Sequence, residues 1–172
     1  EKIKNRLPDE NVENIEIVLE KSLYAKKEYL MPLRLEKTMF LKDIDFIQNV
    51  PSDIVSELVE LIVEKRYKEE TVIYQQGEDS RNIPICIVAQ GKVEAKNNGL
   101  VFDAYNTREI FGHLYLGEED VTSATLTAQA ETVIYEIDKD LFYAMIQKNH
   151  EFARAFIDAV AEDLTPANIK NK

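Results

Sequence analysis

The stretch "FGHLYLGEEDVTSAT", residues 111–125, is the part of the sequence whose residue types and spacing come closest to a ligand-binding motif. It opens with a Phe-Gly turn and ends in the small residues "SAT" (123–125), where a strand-like run begins. That outline is typical of a phosphate-binding loop. The loop contains no Lys or Arg, however, and its only formal charges are the acids "EED" (118–120). A phosphate in this loop would therefore lack a cation to hold it.

Other chemistry is poorly represented in the sequence. A cupin-type metal centre needs several histidines and carboxylates, whereas this chain has only His113 and His150. Cys86 lies in the apolar run "ICIVA", so we expect a buried core residue rather than a reactive thiol. The glycines form neither a P-loop nor a dinucleotide fingerprint, and no G-x-S-x-G elbow occurs. We therefore predict that the chain is not an enzyme, with no catalytic residue and no metal site.

Length, charge and hydropathy limit the class of protein. The 172 residues suffice for one core with a helical appendage. A formal net charge of −11 argues against nucleic acid partners, because phosphate contacts require Lys and Arg. No window approaches the roughly 18 consecutive apolar residues of a membrane helix, so we expect no direct membrane insertion. "EKIKNRLPDE" (1–10) is too charged for a signal peptide. Cys86 is the only cysteine, so no internal disulfide can form, and we expect a cytoplasmic protein or the cytoplasmic portion of a larger one.

The first part of the sequence has helical periodicity, from residue 9 to about residue 66. Pro32 is expected to end or kink the first helix, and a second helix is predicted over Leu35 to Phe40. The strongest helical pattern is "VPSDIVSELVELIVEKR" (50–66), in which Ser52 is the predicted N-cap. Its apolar face comprises Ile54, Val55, Leu58, Leu61 and Ile62.

Residues 67–137 change to short β-rich runs separated by turn residues. The runs predicted as strands are 71–75, 85–89, 92–96, 100–105, 123–130 and 132–137. The run 123–130 alternates strictly, as in a half-buried strand, with one face made of Ala124, Leu126, Ala128 and Ala130. Short strands with frequent turns and no intervening helices predict a sandwich or barrel.

Helical periodicity returns after the strands. Asp138 is the predicted N-cap of a helix that ends at Asn149 and carries Leu141, Phe142, Met145 and Ile146. A second helix ends before Pro166 and carries Phe152, Phe156, Ala159, Val160 and Leu164.

The order of these elements and several motifs resemble the cyclic nucleotide-binding domain family over residues 38–164. "FLKDIDFIQNVPSDIVSELVELIVEKRYKEETVIYQQGE" (40–78) is similar to the opening of that family, and "ICIVAQGKVEA" (85–95) to its strand leading into G-x-V. "SATLTAQAETVIYEIDKDLFYAMI" (123–146) resembles its S-A-T-V-x-A strand, the next strand and the start of its hinge helix. The alternative is an unrelated cupin-type jelly roll, which would share the barrel architecture.

The resemblance implies an α+β, mainly β fold: a double-stranded β-helix or jelly-roll barrel with N-terminal helices and two C-terminal helices. We place the cyclic nucleotide-binding-like domain at residues 38–172, with the barrel near 67–137 and the C-terminal helices near 138–165. Residues 1–37 are predicted to be a helical extension. That extension is either the end of a helical-repeat region or a segment that packs on the barrel.

In the family, the phosphate-binding cassette reads approximately F-G-E-x-A-L-x(5)-R-S-A-T, and its register is intact here without a gap. The resemblance implies ligand contacts at Phe111, Gly112, His113, Leu114, Thr122, Ser123, Ala124 and Thr125. His113 occupies the position of the Glu that binds the ribose hydroxyl, and Thr122 that of the Arg that pairs with the phosphate. Tyr115 replaces a small alanine, and "TRE" (107–109) replaces a P-G-D turn.

The loss of the cassette arginine has a large expected effect on affinity. A buried phosphate without its cation loses a charge-assisted bond worth on the order of 2–5 kcal/mol. At roughly 1.4 kcal/mol per decade, that corresponds to some tens-fold to thousands-fold in affinity. We therefore expect no cofactor, and a cyclic nucleotide in particular is disfavoured.

Three side chains are candidates to replace the missing cation. His113 is mostly neutral at pH 7, given its ordinary pKa of about 6.5. Its alternative role, which we favour, is to pack on the barrel wall and bond a backbone carbonyl. Arg108 lies four residues before Gly112, and Arg81 lies in the turn 77–84. For both arginines we favour a solvent-exposed loop position.

These observations predict a regulatory or interaction module with a degenerate cassette, which does not bind cAMP or cGMP in the usual way. The alternative is a sensor that binds a cyclic nucleotide or another small anionic ligand through the altered cassette. The expected partner is another protein or the rest of its own full-length chain. The apolar stripe of the helix 152–164 would suit a homodimer, unless it packs on its own barrel.

Overall fold

The structure is a computed structural model that describes residues 33–112 and 121–163. The chain divides into two compact units, Glu1–Lys37 and Thr38–Lys172, and the fold described here is that of the second. The helical segment predicted between residue 9 and Pro32 lies outside the described residues, as do Leu164 and Pro166.

Four helices are described. They are α1 at residues 33–42, α2 at Ser52–Leu61, α3 at Lys139–Lys148 and α4 at His150–Asp163. Asp138 caps α3 as predicted, because its carboxylate accepts hydrogen bonds from two amides of the first turn. The prediction that Ser52 caps α2 is wrong. Ser52 is already helical, and Pro51 precedes it without a side-chain capping bond.

The strands form two antiparallel sheets. They are β1 Val63–Tyr67, β2 Val72–Tyr74, β3 Ile85–Gln90, β4 Lys92–Asn97, β5 Leu100–Asn106, β6 Ile110–Phe111, β7 Thr125–Ala128 and β8 Thr132–Ile137. One sheet has the order β1-β8-β3-β6 and the other β2-β7-β4-β5. The jelly-roll prediction is confirmed with one correction: the described strands make two facing sheets and no closed barrel.

The first helical part of the chain ends earlier than predicted, because residues 63–67 form strand β1. The helical pattern extended to about residue 66, but α2 ends at Leu61 and the strand begins at Val63. Val63 pairs with Glu136, and Tyr67 pairs with Thr132, both on β8. Pairing with a strand distant in the sequence overrides the local helical preference, because strand propensity depends on its tertiary context. Strand β6 was also not predicted, since two residues are too few for a periodic signal.

Alternation along β3 divides the apolar residues between two cores. Ile85 and Ile87 face the core that the first sheet forms with α2, α3, α4 and the segment 41–50. Cys86 and Val88 face the core between the two sheets, where Cys86 is fully buried as predicted. The helices therefore cover the outer face of one sheet, and the second sheet covers its inner face.

Two residues predicted on apolar faces are exposed. Ala130 lies in the turn that follows β7, past the last paired residue of the strand. Leu141 is 46% exposed, because α3 presents Phe142 and Met145 to the core and so turns Leu141 outward. The rest of the predicted alternating face of β7 is buried, at Ala124, Leu126 and Ala128.

Candidate functional site

The cassette begins at the end of β6, where Phe111 and Gly112 are held by close packing. Phe111 is 1% exposed, pairs with Cys86 across the sheet and packs its ring 5.3 Å from that of Tyr105. Gly112 follows with a φ of +87°, and an added Cβ would lie 2.3 Å from the carbonyl oxygen of Pro84. Only glycine fits this backbone without displacing its neighbour. His113 and Leu114, the next predicted contacts, lie outside the described residues.

Thr122, near the C-terminal end of the cassette, forms three hydrogen bonds with the turn after β2. Its amide donates to the Glu78 carbonyl at 2.8 Å, and its carbonyl accepts from the Gly77 amide at 2.9 Å. Its hydroxyl donates to the Gln75 carbonyl at 2.7 Å, and the residue is 2% exposed. The position that the resemblance gives to a phosphate-binding arginine thus holds a buried hydroxyl that already has a partner.

Replacing Thr122 with Val is expected to lower the free energy of unfolding by about 1 kcal/mol, the net value of one neutral hydrogen bond. The loss stays modest because the Gln75 carbonyl also accepts from the Glu78 amide. Thr122→Ser, which keeps the hydroxyl, is the comparison that separates the hydrogen bond from packing. Urea unfolding followed by circular dichroism measures both variants. A Val variant as stable as the wild type would mean that the hydroxyl makes no net contribution.

The remaining cassette positions differ in their surroundings. Ser123 is exposed, and its carbonyl accepts from the Asn97 side-chain amide at 2.9 Å. Ala124 is buried between the sheets. The Thr125 hydroxyl accepts from the Gln76 amide at 3.1 Å, which ties it to the same turn as Thr122. The structure therefore brings Thr122 and Thr125 together around the turn 75–78.

Each of the two candidate arginines pairs with a different carboxylate. Arg81 places Nη2 2.7 Å from Oδ2 of Asp79, and its guanidinium lowers the pKa of Asp79 to about 2. Arg108 places Nη2 2.9 Å from Oδ2 of Asp43. Both arginine side chains are more than half exposed. An anion in the cassette would have to compete with these carboxylates for either guanidinium.

A polar cluster that the sequence patterns do not predict lies between the two sheets, next to the start of the cassette. Oε1 of Glu136 accepts hydrogen bonds from the hydroxyls of Tyr67 at 3.0 Å and Tyr74 at 3.4 Å. Glu136 pairs with Cys86 across the sheet. The signal was present in "TVIYEI" (132–137), where alternation puts Glu136 on the same face as the buried Ile134.

Burial raises the pKa of both tyrosines in this cluster, and the nearby Glu136 carboxylate raises it further. Burial also raises the pKa of the Cys86 thiol well above its usual range, which keeps it protonated and unreactive at neutral pH. The added negative charge of a tyrosinate or thiolate would lie beside Glu136. The cluster is therefore stable as a carboxylate held by two neutral phenols.

The stability of the protein is expected to fall as the pH rises above about 10, the ordinary pKa of tyrosine. Above that pH the unfolded chain loses protons from Tyr67 and Tyr74, while the folded protein retains them because both pKa values are raised. Urea unfolding between pH 7 and the alkaline limit measures the decline. Tyr74→Phe should make the decline less steep. Parallel curves for the variant and the wild type would contradict the raised pKa.

Most of the residues buried between the two sheets near the cassette are apolar. The buried residues between the sheets are Cys86, Val88, Val93, Ala95, Phe111, Ala124, Leu126 and Ile134, and each is at most 4% exposed. Tyr67, Tyr74 and Tyr105 pack against them. Within residues 33–112 and 121–163, no three His, Cys, Asp or Glu side chains are grouped so as to hold a metal ion. Among α1 to α4, none combines the length and hydrophobicity that a bilayer crossing requires.

Comparison with solved structures finds the same fold in regulatory proteins. The sensor domain of the transcriptional regulator DNR from Pseudomonas aeruginosa has a TM-score of 0.67 at 15% identity, covering 78% of this chain and 92% of that one. The regulatory subunit of a cAMP-independent protein kinase A from Trypanosoma brucei has a TM-score of 0.66 at 15% identity, with coverages of 77% and 46%. The catabolite activator protein of Thermus thermophilus has a TM-score of 0.62 at 20% identity, with coverages of 73% and 60%.

A sequence model of the cyclic nucleotide-binding domain matches residues 64–149, which is half of the chain. The match runs from β1 to the end of α3 and includes the cassette. The matched residues contain strands of both sheets, helix α3, and Gly112, whose backbone is left-handed at the start of the cassette. The chain belongs to the cyclic nucleotide-binding domain family.

Proposed function

We propose that this domain is a regulatory interaction module that does not bind cAMP or cGMP in the manner its cassette register implies. The observation that carries the proposal is Thr122: its hydroxyl is buried and bonded to a backbone carbonyl where a phosphate-pairing guanidinium would be needed. A hydroxyl supplies no charge to offset the burial of a phosphate.

Two further features support this proposal. The residues buried between the sheets are mostly apolar, and the half-buried carboxylate of Glu136 lies on the same inner face, where its negative charge would oppose a phosphate. Arg81 and Arg108 are already paired with Asp79 and Asp43. The kinase regulatory subunit of the same fold from Trypanosoma brucei is described as cAMP-independent, so regulation without cAMP has a precedent in this fold.

Isothermal titration calorimetry with cAMP and cGMP tests the proposal. We expect no saturable binding below about 1 mM, since the missing charge-assisted bond is worth several kcal/mol. Amide chemical shifts of Gly77, Gly112 and Thr122 report whether any weak heat arises at the cassette. A micromolar isotherm accompanied by shifts at these three amides would overturn the proposal.

The second candidate is a sensor for a different small ligand, and the preserved cassette frame favours it. Gly112 has a left-handed backbone that lies close to Pro84. The carbonyl of Thr122 accepts a hydrogen bond from the amide of Gly77. A thermal-shift screen of nucleosides, nucleotides and small anions tests this function. A stabilising ligand whose effect is lost in Thr122→Val would support it, whereas the absence of any shift would count against it.

A further inference from the structure

A groove is lined by residues of α4, of the segment 43–51 and of the segment 105–110, which runs from the end of β5 into β6. Its volume is about 1000 Å³. Half-buried apolar side chains line it from all three elements, among them Phe46, Ile110, Ala155, Ala159 and Val160. We call this feature the α4 groove. It is separate from the cassette residues 122–125, none of which lines it.

Exposed acidic side chains line the same groove. The groove is lined by five acids, Asp43, Asp45, Glu109, Glu151 and Asp158, and by only two arginines, Arg108 and Arg154. Both arginines pair within the groove, Arg108 with Asp43 at 2.9 Å and Arg154 with Asp158 at 3.9 Å. Three negative charges remain, on Asp45, Glu109 and Glu151. An apolar surface with an acidic border is complementary to a partner that is apolar in the centre and basic at its edges.

We propose that the α4 groove is the docking site for a basic amphipathic helix of a partner protein. This inference rests on the proposed function, because it names the partner chemistry of an interaction module. The size agrees: two turns of helix, about 10 Å across and about 11 Å long, occupy roughly the groove volume. The apolar residues of such a helix, at i, i+3, i+4 and i+7, would face Phe46, Ile110 and Ala159.

The acidic side chains of the α4 groove would favour a basic helix over an acidic one. Lysines or arginines flanking the apolar stripe would lie beside Asp45 on the segment 43–51 and Glu151 at the start of α4, both of which are exposed. Among the described residues, neither carboxylate forms an ion pair. An acidic helix would meet like charges on these same sides. The net charge of −11 would also attract basic peptides non-specifically, so the test must separate the groove from the overall charge.

Fluorescence anisotropy with designed peptides tests the inference on the full chain. The probe is a labelled peptide of about 18 residues, long enough to form a helix, with Leu at i, i+3, i+4 and i+7 and Lys at its flanks. One comparison peptide carries Glu in place of Lys, and another has the same composition in scrambled order. We expect saturable binding of the probe, at least about tenfold weaker binding of the scrambled peptide, and no binding of the acidic peptide.

Matched variants locate the binding. Asp45→Lys/Glu151→Lys reverses two charges at the groove, and Glu69→Lys/Glu131→Lys reverses two exposed charges in turns that do not line it. Both doubles change the net charge equally. We expect the groove double to weaken probe binding about tenfold or more and the turn double to change it less than about threefold. Ala159→Arg, which fills the groove without removing a core side chain, should also weaken it. Equal effects of the two doubles would overturn the inference.

Two other outcomes are distinguishable. If sedimentation shows that the chain alone is a dimer that Ala159→Arg dissociates, a second copy occupies the groove and the inference is wrong. If the probe fails to bind and cyclic nucleotides also fail in calorimetry, the groove inference fails while the proposed function stands. If a cyclic nucleotide binds at the cassette, the proposed function fails, whatever the result at the groove.

Discussion

Replacing Gly112 with Ala is expected to lower the free energy of unfolding by about 2–5 kcal/mol. Two costs add. A left-handed backbone costs a non-glycine residue roughly 1–2 kcal/mol, and forcing an extra carbon into a packed site costs typically about 1–3 kcal/mol. The second cost arises here because the new Cβ would lie 2.3 Å from the backbone oxygen of Pro84, which a side-chain rotation cannot relieve.

Gly99→Ala is the matched control for this prediction. Gly99 has nearly the same backbone, with a φ of +82°, but an added Cβ would have no heavy atom within 4 Å. Its substitution should therefore show only the conformational cost, roughly 1–2 kcal/mol. Urea unfolding of the two variants and the wild type measures the difference, which isolates the contact with Pro84. Equal destabilisation of both variants would mean that the chain does not approach Pro84 this closely.

The Gly112 result also bears on the cassette. An added Cβ would meet the backbone oxygen of Pro84 whatever the cassette binds. Glycine at this position is thus required by the fold itself, whether or not a ligand binds. Its presence supports the family assignment and does not by itself argue for ligand binding.

Replacing Phe152 with Ala is expected to destabilise the domain by about 3–5 kcal/mol, the usual cost of removing a fully buried aromatic ring. Phe152 is 1% exposed on α4, with its ring 5.6 Å from that of Phe142 and 6.4 Å from that of Phe46. It therefore joins three parts of the molecule: α4, α3 and the segment 43–51. The cavity left behind would loosen α4, which forms one side of the α4 groove.

Ile157→Ala is the control on the same helix, because Ile157 is 63% exposed. An exposed apolar side chain contributes little, so this variant should stay within about 0.5 kcal/mol of the wild type. Urea unfolding gives the stabilities, and amide hydrogen exchange of α4 shows whether the loss is local or global. If Phe152→Ala and Ile157→Ala cost the same, the packing of α4 on the domain described here is wrong.

Local patterns predicted most elements of the domain. Six of the eight described strands follow from short β-rich runs between turns, and the cap of α3 follows from Asp138 alone. The start of β1, the cap of α2 and the exposure of Leu141 did not follow. Each depends on which neighbour a residue meets in space, and a local pattern contains no information about such neighbours.

The candidate site also has features that the sequence predicts and features that depend on how distant segments pack. The register that the resemblance gives to residues 111–125, with Thr122 where an arginine is expected, needs only the letters of the sequence. The phenol–carboxylate cluster of Tyr67, Tyr74 and Glu136 could not be read in this way, because its members come from three strands in two sheets. Only the alternation around Glu136 hinted that a carboxylate points inward.

The sequence by itself determined the family, the order of most strands and helices, and the presence of Thr122 where the resemblance expects an arginine, because these depend on residue identity and local spacing. Only the tertiary structure decided that the Thr122 hydroxyl donates to the Gln75 carbonyl and that Gly112 lies against Pro84. It also decided that α4 lines a groove with both apolar and acidic side chains. These are relations between segments far apart in the chain. They arise when the sheets and helices pack, and packing is set by the whole core rather than by any one stretch of residues.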